Sequence, residues 1–513
     1  MTKSNPFSRK VTVFHDRVAP EEGYLAGYAL LIDLLNTQEI LVPLPDRLSL
    51  VTGKYQRYNT EQWQIFTTRH APGPDLGSHL VFALKYEGLD LHILKAIFQY
   101  AGAEQIRDII MKEPTGRYTK RLWFLYEWLL GTRLDIPDLK TGAYVEVLDP
   151  EHQYPGPIRN STRHRVKNNL PGTPEFCPLI RRTEKLEKFI ALRFDQQIDK
   201  NLSKIDRGLL RRTAAFLLLK DSKASFAIEG EYPPDIRARN WGKAIGQAGK
   251  QPLSILEIER LQHLVIGSKK LRHMGIRDGE GFIGEHDSDT FAPIPHHISA
   301  RAKDLPSLLN GLIDTDIMLS KSDYDAVLAA TTIAFSFVFI HPLLDGNGRI
   351  HRYLIHHVLA NMGYTKRDMI FPVSSSFLNH MADYQDVLEV YSAPRLELIQ
   401  WEATKEHNVQ ILNETIDLYR YYDLTRQAEF LYTCVQDTIE HIIPHELDYL
   451  ERYDKLTAMI NNSLSLPDSR VDLLIKFIQQ NKGVLSKGKR ESHFAELTDD
   501  EVEMVERYYA ESF

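Results

Sequence analysis

The sequence predicts a mainly α protein: a helical core with one β-hairpin flap, a mixed α/β N-terminal region and a helical C-terminal region. Three observations predict it. From Arg181 to about Trp401 apolar residues recur mostly at helical spacing. Inside that stretch Gly279 to Pro295, GEGFIGEHDSDTFAPIP, breaks the pattern with glycines, a charged turn and apolar flanks, which reads as a hairpin. Near the N-terminus, short β-like runs precede the helical pattern.

Residues 1–145 read as one mixed unit. Ile40 to Pro45 and Gln64 to Thr68 are expected as short strands, and Gly77 to Leu84 as a third strand or a helix opening. From Asp90 the pattern turns helical: Leu91, Leu94, Ile97 and Phe98 share a face, and Leu122, Leu125, Leu129 and Leu130 mark a helix that stops at Gly131. Residues 146–180 hold six prolines and the basic residues Arg159, Arg163, Arg165 and Lys167, the composition of a linker or long solvated loop. Residues 181–401 form the core region. Residues 402–513 are expected to be helical, with Thr498 capping a last helix and Glu501 three residues on.

At 513 residues the chain exceeds one ordinary core. Hydrophobic residues make up 43% and charged residues 26%, as in a soluble globular protein. A net charge of −7, from 62 basic and 69 acidic side chains, gives no electrostatic support for nucleic acid as the main partner. Lys482, Lys487, Lys489 and Arg490 form a small basic cluster, but acidic residues follow it and a solvated loop is the better reading. Cys177 and Cys434 are too few for a disulfide framework and lack metal-ligand spacing. The N-terminal residues lack the apolar stretch of a signal peptide, and the most apolar run, Thr331 to Leu344, is too short to span a membrane. A cytoplasmic protein is expected.

The chemistry concentrates in His341-Pro342-Leu343-Leu344-Asp345-Gly346-Asn347-Gly348-Arg349-Ile350-His351-Arg352. Pro342 disfavours helical backbone at His341, which places the histidine where a helix gives way to a loop. Asp345-Gly346-Asn347-Gly348 is turn chemistry. Ile350, Leu354, Ile355, Val358 and Leu359 then recur at helical spacing up to Gly363. A glycine-rich loop feeding a helix start is an anion site, because unpaired N–H groups and the helix dipole favour negative charge there. Arg349 and Arg352 rise together from the first turn, and the guanidinium fork suits phosphate. Asp345 is placed to hold a magnesium ion, and His341 to accept a proton near neutral pH. Singly, each feature is usually structural; a lone histidine beside an apolar run is mostly a core residue. Together within twelve residues they read as a phosphoryl- or nucleotidyl-transfer site.

This segment resembles the signature of the Fic family, His-Pro-Phe-x-(Asp/Glu)-Gly-Asn-Gly-Arg-x-x-Arg, departing only at Leu343. Phe291 to Pro295 resembles the end of the family's flap, and Asp383 to Leu388 its later Tyr-x-x-x-Leu element. The resemblance covers roughly 181–401. It implies a protein adenylyltransferase: His341 takes the proton from a Ser, Thr or Tyr hydroxyl of a target protein, the chain itself included, which attacks the α-phosphorus of ATP. It further implies that Asp345 holds Mg2+, that Gly346, Asn347 and Gly348 form the anion hole, and that Arg349 and Arg352 bind the β- and γ-phosphates. Tyr384 and Gln385 would lie near the nucleotide, and the flap, about 282–292, would align the target as an added strand. No membrane partner is implied, and an oligomer is compatible.

Upstream, Ser225-Phe226-Ala227-Ile228-Glu229-Gly230 matches the family's inhibitory pattern (Ser/Thr)-x-x-x-Glu-(Gly/Asn). Alone it would read as a helix end on a solvated face. Ahead of a full signature it implies that Glu229, with Ser225 in the motif, pairs with Arg352 and displaces the γ-phosphate, as in the class with an N-terminal inhibitory helix. Four alternatives stand beside AMP transfer. The first is Fic-type transfer of another phosphate-containing group (γ-phosphate, UMP or phosphocholine), and the second is removal of AMP from modified protein. The third is a metal-dependent phosphohydrolase built on His286-Asp287 and the other histidines, and the fourth an adaptor on a degenerate scaffold.

Overall fold

The computed structural model describes residues 6–197, 207–267, 274–365 and 371–513. It is mostly helical with small sheets, as expected. Three hydrophobic cores organise it: one from the N-terminal region, one built around the helices that carry the loop, and a small one near the C-terminus.

The N-terminal core packs a five-stranded sheet, β1 (Lys10–Phe14), β2 (Arg17–Ala26), β3 (Leu48–Thr52), β4 (Tyr58–Asn59) and β5 (Trp63–Thr67), against helices α1 (Tyr28–Asn36), α2 (Leu76–Tyr86), α3 (Leu91–Lys112) and α4 (Arg117–Leu130). The strand order is β1-β2-β3-β5-β4, with β3 and β5 parallel and the other neighbours antiparallel. The strand expected at Ile40 to Pro45 is absent; the chain there is irregular and pairs only from Leu48. Pro43 and Pro45 lack the N–H a ladder needs. Gly77 to Leu84 is helical, because Asp75 caps α2 by accepting from the Ser78 N–H at 3.0 Å.

Residues 146–180 are not a solvated linker. A three-stranded sheet, β6 (Val145–Glu146), β7 (Arg159–Ser161) and β8 (Val166–Asn168), lies here, and Val147, Leu148, Val166, Phe176 and Cys177 are buried. Arg163 donates to Glu127 at 2.8 Å and to the carbonyls of Leu134 and Ile136 at 2.7 and 2.9 Å, so it clamps backbone.

The central core contains α5 (Glu184–Ala191), α6 (Arg207–Ile228), α7 (Asp235–Ile245) and α8 (Ile255–Ile266). The hairpin β9 (Phe282–His286) and β10 (Pro293–Ile298) follows, antiparallel as expected. After α9 (Leu305–Ser320) comes α10 (Ala326–Ile340), buried on every side from Val327 onward, which packs along α11 (Asn347–Asn361). Such an all-round apolar helix belongs at the centre of a core. In α6, Thr213, Leu217, Asp221 and Ser225 are buried at four-residue steps, and Asp221 and Ser225 reach His356 and Arg352 of α11. The Asp221 carboxylate, fully buried, accepts from the Ser374 N–H at 2.7 Å, the Ser374 hydroxyl at 3.0 Å and the Ser375 N–H at 3.3 Å, and meets His356 Nε2 at 3.0 Å. It thereby joins α6 to α11 and to the start of α12 (Val373–Asn379).

After α13 (Met381–Leu396) helices do not resume at once. A second hairpin, β11 (Trp401–Ala403) and β12 (Val409–Ile411), turns through His407 at φ 59° and braces the first: His286 Nε2 lies 2.8 Å from the His407 carbonyl, and Asn408 donates to the Glu280 carbonyl at 2.8 Å. The C-terminal helices are α14 (Thr425–Asp437), α15 (Ile443–Ser463), α16 (Asp468–Gln480), α17 (Lys487–His493) and α18 (Asp499–Ser512). Thr498 and Glu501 form the expected capping box of α18. Arg490 of the basic cluster pairs with Asp499 at 2.6 Å, and Lys489 lies over the Phe477 ring at 4.6 Å. Among the described residues no helix is long and apolar enough to cross a membrane.

Burial pushes His79 and His92 down to about 4, and His297 and His351 down to about 3. Below ~6.5 the unfolded chain takes up protons that these rings refuse, so the unfolded state binds more protons and stability is lost as the pH is lowered. Glu87, held up to about 7 by burial, works the other way, as do Asp33, Asp46, Asp90, Glu280 and Asp325, which burial raises from ordinary values at or below the foot of the histidine window. From the four histidines together, the thermal midpoint is expected to be highest above pH 6.5 and to drop between pH 6.5 and 4.5. A midpoint that stays level over that window in calorimetry would contradict this.

Candidate active site

The loop takes its shape from how two helices end and begin. His341 closes α10 in the left-handed region, φ 52° and ψ 59°, donating its N–H to the Phe337 carbonyl at 3.0 Å. That region costs a non-glycine residue ~1–2 kcal/mol and persists only where the surroundings enforce it, commonly at functional sites. Leu343, the one departure from the motif, is buried at 1% exposure. The Asn347 side chain closes the loop by donating to the Leu343 carbonyl at 2.7 Å and accepting from the Leu343 N–H at 3.0 Å. Asn347 therefore offers an anion only its backbone N–H. Gly346, at φ 94°, caps α11, and the first intrahelical bond runs from the Ile350 N–H to its carbonyl. The N–H groups of Asn347, Gly348 and Arg349 precede that bond and have no intrahelical acceptor.

Arg349 and Arg352 are buried at 2% and 1% exposure, yet among the described residues one nitrogen of each finds no hydrogen-bond partner: Nε of Arg349 and Nη1 of Arg352. Buried guanidinium donors without acceptors are costly unless a ligand completes them. Their other donors are taken by acids. Arg352 donates from Nη2 to Glu229 at 2.8 Å and to the Ser225 carbonyl at 2.7 Å, and from Nε to the Ser225 hydroxyl at 3.1 Å. Arg349 donates to Glu231 and to Asp345, both at 2.8 Å.

Glu229 and Glu231 reach these arginines because of how α6 ends. Gly230, at φ 70°, donates to the Ala227 carbonyl at 2.9 Å, and Glu231 donates to the Phe226 carbonyl at 3.0 Å. This paired closure needs a residue at positive φ, which glycine supplies. The reversal points two carboxylates from one turn into one pocket. Glu229 fills the cradle of the loop: a Cβ built on Gly348 would stand 2.3 Å from its Oε1. Glu231 was not among the residues expected from sequence. It also pairs with Arg237 at 2.9 Å, and Arg237 and Arg349 lie 4.8 and 5.4 Å from the Phe226 ring. The available signal was an acid two residues past Glu229, matching the two arginines three apart.

The His341 imidazole is half-buried, with Nδ1 3.2 Å from the Val338 carbonyl. Donation there puts the proton on Nδ1 and leaves Nε2 with a free lone pair. Burial pushes its pKa down to about 4; the Val338 carbonyl opposes this and the Arg277 guanidinium adds to it. His341 is thus a neutral base at pH 7. Asp345 is 46% exposed at its side chain, open to a cation on one side and held by Arg349 on the other. Tyr384 is buried against Arg352 and stacks on His351 at 6.0 Å, and burial pushes its hydroxyl up to about 12. Gln385 is exposed, and the structure gives it no bond to the site. Among the described residues no group of three or more His, Cys, Asp or Glu is placed to hold a metal ion. His356 faces Asp221, and His286 is engaged with the second hairpin.

Residues 254–359, which contain this loop and the hairpin, match the family model for the Fic/DOC family. Two similar solved structures are a Fic family protein from Desulfovibrio desulfuricans G20 and a Fic domain containing signaling protein from Bacteroides thetaiotaomicron VPI-5482. The first is 17% identical, with 58% of this chain and 88% of that chain covered at a TM-score of 0.36. The second is 17% identical, with 51% and 97% covered at a TM-score of 0.33. No curated protein matches the chain. The signature loop, the glycine-capped helix start that follows it and the family match fall on the same residues, and residues 254–359 are a match to the Fic/DOC family.

Proposed function

We propose that this protein transfers AMP from ATP to a Ser, Thr or Tyr hydroxyl of a target protein and is held inactive by Glu229. Fic domains generally transfer phosphate-containing groups such as AMP onto proteins. The observation that carries the reading is the pair of buried, incompletely satisfied arginines at a glycine-lined helix start, with a neutral histidine on the same loop. In the forward step His341 Nε2 accepts the hydroxyl proton. The oxygen bonds to the α-phosphorus, the bond to the bridging oxygen breaks, and pyrophosphate leaves. Arg349 and Arg352 hold the β- and γ-phosphates, and the N–H groups of Gly348 and its neighbours receive phosphate oxygens. Mg2+ held by Asp345 would neutralise charge on the phosphates. Glu229 occupies the place of the γ-phosphate, so ATP that binds beside it has its α-phosphorus out of line.

Incubation with ATP labelled at the α- or the γ-phosphate tests the reading. Label on protein from the α-position only is expected; label from the γ-position alone would indicate phosphate transfer instead. A second expected result concerns the cradle. With Glu229 already replaced by glycine, Gly348→Ala puts a methyl where a phosphate oxygen belongs. It is expected to weaken ATP binding by roughly 10-fold or more, from the ~1–3 kcal/mol of an overpacked site. Titration calorimetry reads this directly, and unchanged affinity would remove the loop from the phosphate site.

A further inference from the structure

Arg277 is a buried cation whose partners are carbonyls. It is 5% exposed, and Glu280, the acid whose charge eases its burial, makes no ion pair with it within 4.0 Å among the described residues. Its Nε donates to the His341 carbonyl at 2.8 Å and its Nη1 to the Gly279 carbonyl at 2.6 Å; its Nη2 donates to the Ala300 carbonyl. Its backbone N–H donates to the Pro342 carbonyl at 3.0 Å. Gly279 and Ala300 lie just before β9 and just after β10, and the Ser299 N–H closes the base of the hairpin on the Gly281 carbonyl at 2.9 Å. One planar fork thus joins both roots of the hairpin to the carbonyl of the histidine.

Stability alone does not explain a guanidinium here. A buried charge is costly to desolvate, and a well-packed apolar side chain is often the more stable choice. What the fork achieves is geometric: it holds the carbonyl of a residue in left-handed backbone, which relaxes unless constrained. We propose that Arg277 is a positioning residue that locks His341 to the roots of the flap, so that the base and the strand presenting the target hydroxyl keep one spacing. This rests on the proposed AMP transfer. A general base works only within ~2.6–3.2 Å of its proton. Arg277 donates to no residue of α11, where the phosphate-binding arginines lie. Its loss therefore acts on the chemical step and leaves nucleotide affinity in place.

The test uses the full chain with Glu229→Gly as parent, and Arg277→Met and Arg277→Lys added to it. For Arg277→Met, kcat is expected to fall ~100-fold, the cost of misplacement by about 1 Å, while the Kd for ATP stays within about twofold. Arg277→Lys keeps the charge but not the fork and is expected to fall between; it also decides the matter if the methionine variant does not fold. Folded variants with parental kcat overturn the proposal, as does a loss of kcat matched by a loss of ATP affinity. If the parent transfers no AMP, the proposed function fails, and nitrogen NMR of the His341 ring then decides the inference. A proton fixed on Nδ1 in the parent and shared between the ring nitrogens in Arg277→Met supports it; identical spectra overturn it.

Discussion

His341→Ala is expected to lower AMP transfer by ~10²–10⁴-fold, the usual contribution of a positioned general base, with ATP affinity close to parental. The assay belongs in the Glu229→Gly background, where the parental rate is high enough to measure so large a loss. The ring is neutral at assay pH because burial pushes it down to about 4. The acid limb of kcat/KM, which reports the free enzyme, is therefore expected near that value. A bound triphosphate favours the imidazolium, so the acid limb of kcat is expected at higher pH. Transfer within tenfold of parental in His341→Ala would give the proton to another group.

Glu229→Gly is expected to raise transfer by ~100-fold, including modification of the chain itself, because ATP can then set its α-phosphorus in line. Label incorporation from α-labelled ATP reads this, and an unchanged rate with intact ATP binding would discredit the inhibitory assignment. Two companion effects follow from geometry. Arg352, 1% exposed, loses its acid partner, so the thermal midpoint should fall without nucleotide and recover with ATP. Glu231 still holds Arg349 in the single variant. Adding Glu231→Gln is therefore expected to tighten ATP binding further, although Glu231 lies outside the inhibitory motif.

The residues that carry local chemistry were legible in the sequence, and those that depend on chain reversal were not. Pro342 and the glycines at 346 and 348 announce the loop: Gly346 sits at φ 94°, which few other residues adopt, and Gly348, within the helix, leaves room for the close approach of Glu229. Ser225 and Glu229 were found by pattern, and the structure brings both to Arg352. Glu231 was missed because only a glycine turn folded back on α6 aims it at Arg349. Arg277 was missed because a lone arginine before a hairpin carries no periodic signal. The side chain of Asn347 closes the loop on Leu343, a bond that no spacing in the sequence announces. At Ile40 to Pro45 the hydrophobic residues suggest a strand, but Pro43 and Pro45 lack the N–H groups a ladder needs. The second hairpin, Trp401 to Ile411, is too short for its alternation to stand out against the helices around it.

Asp221 limits how this enzyme could be switched on. Its carboxylate takes three donors from the start of α12 and meets His356 of α11, two turns before Glu229. Pulling the whole of α6 away would withdraw that acid and leave its partners, the Ser374 and Ser375 N–H groups, the Ser374 hydroxyl and His356, unpaired inside the protein, a large barrier. The cheaper motion is a swivel of the last few residues about Gly230, with the rest of the helix left seated. An activator would then need to grip only the short stretch after the helix, where Tyr232 already projects at 87% exposure.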